Sequence, residues 1–336
     1  MTAPSPSTDP LPAVPTAAQL TGPQLTGPAS AGPVWAAVDI GGTKIAGALV
    51  DSTGTLTHRV QLPTPAKESG AEVLAVVHRV LDHLAAAPDW AAVTAVGIGS
   101  AGPVDLVGGT VSPVNIPGWR DFPLTAEVAA HPAVAGRPVA LAGDGVAMAA
   151  AEHWRGAARG AGNALCLVVS TGVGAGLVLN GSVHPGPSGN AGHLGHISVD
   201  LDGERCPCGS YGCLENIASG TAIARRALAD GWEPRGTDRS ARAVAEDALA
   251  GHPVALAAFD RAAQALAAGI AATATLVDLR RVVVGGGVAA AGPVLFEPLA
   301  RHLDRYAALP YVHGLDVRRA ELGNDAGLIG AAALCR

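Results

Sequence analysis

The sequence predicts an α/β protein built as two lobes around a central cleft. Three observations carry this reading: strand-like and helix-like segments alternate along the chain, the turns between them are rich in glycine, and a strand–turn–strand unit near the start recurs in the middle. At 336 residues the chain is longer than one average domain, and 49% hydrophobic residues suffice for a sizeable core.

The first 33 residues are rich in Pro, Thr, Ser and Ala, with neither a basic start nor an apolar run. Such a composition buries too little surface to offset chain entropy, so 1–33 is expected to be a disordered tail. No stretch reads as a secretory signal or a membrane span, and a cytoplasmic location is expected. From Val34, VWAAVDI reads as a buried strand, and KIAGALVD and GTLTHRVQLP as two more. Glu68 to Ala87 has helical spacing. AVTAVGIGS is a strand running into a loop, and RPVALAGD is a strand that ends at an acid, Asp144, before the helix DGVAMAAAEHWRGA. The pattern then restarts. NALCLVVSTGVGAGLVLNG places two strands around a Gly-rich turn and echoes the arrangement around DIGGTK, which suggests duplication. A Cys- and Gly-rich insertion, helices through about Leu279, the strand RRVVVGGGV, a helix from Pro293 to Tyr306 and a closing helix from Asp325 complete the chain. A hinge near Gly143 separates a lobe at 34–143 from one at 144–324, with 325–336 assigned to the first lobe.

A net charge of −6 gives no basic field, which argues against nucleic acid or an anionic membrane as partner and favours a small molecule. Lys44 and Lys67 are the only lysines; with so much Arg, Ala, Gly and Pro this reads as compositional bias.

DIGGTK, from Asp39 to Lys44, puts a carboxylate at a strand end, two glycines at a tight turn, then a hydroxyl and a cation. Gly41 and Gly42 let backbone N–H groups approach phosphate oxygens, Thr43 and Lys44 add a hydrogen bond and charge, and Asp39 can hold hydrated magnesium. A glycine turn between strands also needs no ligand. STGVGAG, from Ser170 to Gly176, repeats the design with Thr171, Gly172 and Gly174, so both lobes can face one triphosphate. Gly285, Gly286 and Gly287 would let an adenine ring lie against backbone. Three such turns resemble the actin-like sugar kinase superfamily, unlike the single GxxxxGK[ST] loop or a dinucleotide fingerprint.

His196, Cys206, Cys208 and Cys213 stand in an H-x9-C-x-C-x4-C spacing. One imidazole and three thiolates suit tetrahedral Zn²⁺ with no open position, hence a structural site at 196–213. The run from Val169 to His196 followed by CPCGSYGCLE resembles the signature of the ROK (repressor, open reading frame, kinase) family, with DIGGTK, NIPGW, VVVGGGV and NDAGLIGAA in the expected order. The resemblance covers the chain from about Val34 onward. It implies a two-lobe actin-like (ribonuclease H-like) ATPase fold, usually as a homodimer, and ATP-dependent phosphorylation of a sugar, with glucokinases and N-acylhexosamine kinases among the members.

By position, Asp144 corresponds to the family's catalytic carboxylate. A strand-end acid at a lobe junction can accept the proton of a sugar hydroxyl as it attacks the γ-phosphate. Asn115 in NIPGW and Glu215 in CLE are similar to sugar-binding residues, although Asn115 also fits a plain turn residue and Glu215 a helix-start acid. His196 carries two roles in the family, zinc ligand and sugar contact. Two positions depart from the pattern: Gly143 stands where an Asn commonly precedes the catalytic acid, and His193 replaces the Glu of GExGH, as in some bacterial N-acetylmannosamine kinases. NIPGW looks more like the glucokinase side, with Trp119 expected to narrow the sugar pocket if it points inward. The sequence therefore predicts a glucokinase-like kinase acting on a hexose 6-hydroxyl, with N-acetylmannosamine as the alternative substrate. A sugar-sensing regulator fits less well, because the tail is too short and irregular for a helix-turn-helix. A weakened sugar-binding protein is disfavoured by the presence of Asp39, Thr43, Asp144 and Thr171. Polyphosphate as donor would need a cationic track, and Arg155 with Arg159 do not make one.

Overall fold

The computed structural model describes residues 32–336, so the expected tail lies outside the described residues but for Gly32 and Pro33. The first lobe opens with an antiparallel meander of β1 (Val34–Ile40), β2 (Lys44–Val50) and β3 (Leu56–Pro63). Helix α1 (Gly70–Ala85) begins at a capping box in which Ser69 accepts from the Glu72 amide at 3.3 Å and Glu72 accepts from the Ser69 amide at 2.9 Å. It leads to β4 (Val93–Ser100), which lies parallel to β1, then to the small hairpin of β5 (Val104–Asp105) and β6 (Thr110–Val111). Helix α2 (Leu124–Ala129) and β7 (Val139–Gly143) complete a sheet of order β3-β2-β1-β4-β7.

After α3 (Asp144–Arg155), the second lobe repeats the plan with β8 (Ala164–Val169), β9 (Val173–Leu179) and β10 (Ser182–His184). Helices α4 (Glu215–Ala218), α5 (Gly220–Ala229), α6 (Ala241–Leu249) and α7 (Pro253–Val277) precede β11 (Arg281–Gly285), α8 (Pro293–Tyr306), β12 (Asp316–Arg319) and α9 (Ala326–Ala333). The order β10-β9-β8-β11-β12 matches the first sheet strand for strand, so the internal echo in the sequence is a repeated topology. The inner strands of both sheets are buried along nearly their whole length, and their runs of Val, Ala, Leu and Ile are what covering both faces requires. Helix α7 is long and apolar enough to cross a bilayer. It instead sends Ala255, Phe259, Leu266 and Ile270 into the core of the second lobe.

The two lobes exchange helices. Helix α3 leaves the first sheet and packs on β8 and β9 of the second, whereas α9 leaves the second sheet and packs on β1 and β4 of the first. The pair forms a shared middle layer: Trp35, Ala37 and Ala95 of the first lobe and Cys166, Val178 and Val283 of the second belong to one cluster with Ala149, Ala151, Leu328 and Ala331. At the closest approaches there is no room for a side chain. A Cβ on Gly330 would overlap the Ala147 carbonyl oxygen, and one on Gly97 would overlap that of Ala331. The layer is also tied by a buried carboxylate at the far end of α3. Glu152 accepts from the amides of Ala157 at 2.8 Å, Leu322 at 3.1 Å and Glu321 at 3.3 Å, joining α3 to the segment that enters α9. Arg59 of β3 pairs with both carboxylate oxygens of Asp325 and fixes where α9 starts.

Elements without a strong pattern of their own escape sequence reading. The strand DVRR of β12 is half-exposed and polar; it exists because it pairs with β11 in register, with Arg281 bonded to Asp316 at 3.0 Å. Helix α2, β10 and the β5–β6 hairpin are likewise too short to declare themselves.

Replacing Gly330 by Ala is expected to destabilise the protein by about 1–3 kcal/mol, because the blocking atoms are backbone and cannot swing aside. The matched control is Gly143→Ala, where a Cβ meets nothing within 4 Å and the backbone at φ −64° suits any residue. Thermal melting checks the pair: a clear drop for Gly330→Ala alone is expected, and equal melting temperatures contradict the packing.

Candidate active site

Two carboxylates meet where the exchanged helices begin. Asp144 is the first residue of α3, and its Oδ1 accepts from the Gly145 amide at 2.7 Å. Asp39 is the penultimate residue of β1, set against Gly327 in the first turn of α9. Protein surrounds both groups, yet Asp144 stays open to solvent on the cleft side. Burial raises the pKa of Asp144, its bond to Gly145 and the nearby His193 oppose the rise, and Glu215 adds to it. Asp39 is pushed up to about 6 by burial first and by the charge of Asp144 second, with Lys44 opposing. Two like charges crowded at a cleft floor, with little to neutralise them, form a site that gains from a cation and from a proton donor.

The glycine turns stand around this floor. Between β1 and β2, the Gly41 amide bonds back to the Lys44 carbonyl at 3.0 Å, and Asn115 lies across Gly42 so closely that a Cβ there would stand 2.5 Å from its Nδ2. Thr43 is exposed at the tip and Lys44 opens β2. In the second lobe, Ser170 to Gly174 joins β8 to β9. A Cβ on Gly174 would stand 3.6 Å from Asp144 Oδ1, which places this turn against the acid that follows the last strand of the first sheet. Thr171 is exposed, and its carbonyl is held by the Thr221 hydroxyl at 3.1 Å, while the Ser170 carbonyl accepts from the Gly220 amide at 2.7 Å. The third turn divides. Gly285 is buried, its Cα facing Ala320 and Met148, whereas Gly286 and Gly287 are exposed beside the second turn. Gly286 adopts φ +87° and lies on the backbone of Val169, a position that no side chain fits. Only Gly286 and Gly287 therefore offer open backbone to a ligand.

The residues matched to sugar binding, Asn115, His193, His196 and Glu215, lie around the same cleft. Glu215, the first residue of α4, accepts from the Val173 amide at 2.8 Å and lies over Gly172, so it braces the second turn as well as facing Asp144. His193 is exposed near Gly102, with a Cβ on that glycine falling 3.4 Å from the ring, and its ring lies nearly parallel to that of His196 at 5.8 Å between centroids. Trp119 does not point into that cleft. It is fully buried in the first lobe, stacks on Phe122 at 4.6 Å and donates from Nε1 to the Gly70 carbonyl at 3.0 Å, so it narrows the core and not the pocket.

His196, Cys206, Cys208 and Cys213 do come together, with their ligand atoms all within 4.8 Å of one another. Cys206 Sγ lies 3.8 Å from His196 Nδ1, and Cys208 Sγ lies 3.7 Å from Cys213 Sγ. Ligands on a tetrahedral zinc are about 3.5–3.8 Å apart, so the set needs only slight contraction to close on the ion. With Nδ1 turned to the thiols, Nε2 of His196 is the nitrogen left for another partner. Sequence reasoning missed three supports: Gly327 beneath Asp39, Thr221 behind Thr171, and Asn190. Gly327 sits in a quoted motif, but the roles of Thr221 and Asn190 exist only once distant segments are folded together.

A model of the ROK family matches residues 35–336. The glucokinase of Halalkalibacterium halodurans is 35% identical over 320 residues, covering 90% of this chain and 94% of that one. The N-acetylmannosamine kinase of Haemophilus influenzae is 35% identical over 301 residues, covering 88% and 93%. Among solved structures, the ROK glucokinase of Streptomyces griseus in complex with glucose and AMPPNP is 34% identical with a TM-score of 0.76, covering 90% of this chain and 98% of that one. With a family match over almost all of the described residues, and relatives of this identity aligned nearly end to end, the chain belongs to the ROK family.

Proposed function

We propose that this chain is an ATP-dependent sugar kinase that transfers the γ-phosphate of ATP to the 6-hydroxyl of a hexose, with glucose as the preferred acceptor. One observation carries the reading: Asp144, a carboxylate with raised pKa at the lobe junction, lies within reach of the phosphate-type turn between β8 and β9. The resemblance to glucokinases over the whole fold supports it.

In this reading the triphosphate lies between the Gly41–Thr43 and Thr171–Gly174 turns, whose amides and hydroxyls meet its oxygens, with Lys44 adding charge. The purine rests against Gly286 and Gly287. Asp39 holds the water shell of Mg²⁺, which supplies charge neutralisation at the phosphates and relieves the repulsion between Asp39 and Asp144. Asn115, His193, His196 and Glu215 orient the sugar so that its 6-hydroxyl hydrogen-bonds to Asp144. As the hydroxyl oxygen attacks phosphorus, its proton passes to the Asp144 carboxylate, and the bond from the γ-phosphorus to the bridging oxygen breaks to leave ADP. The raised pKa makes Asp144 a better proton acceptor than an ordinary carboxylate. Zinc on His196, Cys206, Cys208 and Cys213 is structural; it fixes the loop carrying His196 and the start of α4 carrying Glu215. The protein works in the cytoplasm as a homodimer, with lobes at 34–143 and 144–324 and residues 325–336 completing the first.

N-acetylmannosamine is the second reading, favoured by His193, whose neutral imidazole can donate to an acyl carbonyl, and by the similarity to N-acetylmannosamine kinases. The open space beside Gly143 fits a larger substituent.

Three outcomes test these assignments. Asp144→Asn keeps size and removes the proton acceptor, so turnover falls by about 10²- to 10⁴-fold while ATP still binds; near wild-type turnover removes Asp144 from the mechanism. Metal analysis of the purified protein finds one zinc per chain, and Cys206→Ser with Cys208→Ser loses it and raises the sugar KM before the ATP KM; a metal-free wild type, or full activity in the variant, contradicts the structural site. His193→Glu shifts the ratio of kcat/KM for glucose over N-acetylmannosamine towards glucose, and an unchanged ratio removes His193 from substrate choice.

A further inference from the structure

The lobes touch a second time, away from the α3–α9 layer. After β10, residues 185–192 lie along β9 of the second lobe, with Gly192 packed on the Ala175 carbonyl and the Ala191 amide bonded to the Pro185 carbonyl at 2.9 Å. From this segment Asn190 reaches into the first lobe and holds both backbone groups of one residue. Its Oδ1 accepts from the Val104 amide at 3.0 Å, and its Nδ2 donates to the Val104 carbonyl at 2.7 Å. A side-chain amide used this way imitates one rung of an antiparallel ladder. The Leu106 amide adds a bond to the Ser188 carbonyl at 3.3 Å, and Gly189, buried at φ +93°, sits on the side chains of Leu106 and Val104.

Both ends of this contact lead to residues of the candidate sugar pocket. On the second lobe, His193 follows Asn190 by three residues and His196 by six. On the first, Val104 is buried in the lobe core and pairs with Val111; the Ser112 amide bonds to the Pro103 carbonyl at 2.9 Å, and the Val114 amide to the Gly102 carbonyl at 3.4 Å, just before Asn115. Gly102 is also the residue that His193 faces. The Asn190–Val104 rung therefore ties the segment bearing His193 and His196 to the segment bearing Asn115.

We propose that Asn190 is a positioning residue, a clasp between the lobes that brings Asn115 and His193 to one sugar without touching it. The proposal rests on the sugar-kinase reading for its effect on catalysis, but the clasp itself needs no substrate to be measured. An asparagine that merely filled a loop would affect both substrates alike or neither.

The test compares wild type with Asn190→Ala and with Asn190→Leu, which keeps the volume and loses both hydrogen bonds. Amide exchange over 102–106 is expected to quicken in both variants, with melting temperatures close to wild type. The KM for glucose rises about ten-fold in both, with the KM for ATP within about two-fold and a smaller change in kcat. Unchanged exchange over 102–106 overturns the clasp, whatever the activity of the wild type. Quickened exchange with an unchanged glucose KM overturns its role in positioning, as does a rise of both KM values together with a fall in melting temperature. A wild type that phosphorylates no hexose overturns the kinase reading separately, and with it the catalytic role assigned to Asn190.

Discussion

The close approach of α3 and α9 is the constraint on which the rest of the molecule depends. Helix α3 follows the last strand of the first sheet directly and packs on the second sheet, α9 follows the last strand of the second sheet after a short turn and packs on the first, and the two lie so close because Gly330 presents no side chain to Ala147. Their N-terminal turns are then brought to the same place. Asp144 heads one, and the other sets Gly327 beneath Asp39, so two acids from one sheet are assembled by helices that belong jointly to both lobes. A carboxylate at a helix N-terminus is favoured by the unpaired amides there, seen here in the bond from Gly145 to Asp144. Burial works against it, reinforced at Asp144 by Glu215 and at Asp39 by the charge of Asp144. The balance leaves Asp39 and Asp144 with raised pKa values, the electrostatic condition that a metal–phosphate ligand relieves.

The repeated topology explains why the phosphate-type turns come as a pair. Both sheets start with the same antiparallel hairpin, and in each the turn between the first two strands is the glycine-rich one: Gly41 and Gly42 in one lobe, Gly172 and Gly174 in the other. In the proposed reading the two turns hold one triphosphate between them. The lobes differ in what is added to the shared plan: the Cys- and His-bearing insertion lies in the second, and the Asn115 loop in the first.

Much of this was legible in the sequence, and the reasons are local. Buried central strands declare themselves as unbroken apolar runs, glycine turns by composition, and the Cys/His set by spacing, so the strand ends that carry Asp39 and Asp144 and the four residues that cluster at 196–213 could be named before any fold was known. What was not legible depends on contacts between segments distant in the chain. The motif left open which way Trp119 points, and Phe122 and the Gly70 carbonyl hold it in the core. Gly285 looked like its two neighbours, yet it packs inward on Met148 and Ala320. Strand β12 is held by its pairing with β11, and neither Asn190 nor Thr221 carries any local sign that it grips the backbone of another segment.

The measurement that bears most directly on the assignment is a crystal structure of the protein with glucose and a non-hydrolysable ATP analogue. The account places the sugar's 6-hydroxyl within hydrogen-bonding distance of an Asp144 oxygen, on the line to the γ-phosphorus, with the phosphates held between the Gly41–Thr43 and Thr171–Gly174 turns. A 6-hydroxyl turned away from Asp144, or a triphosphate bound outside those two turns, would contradict it.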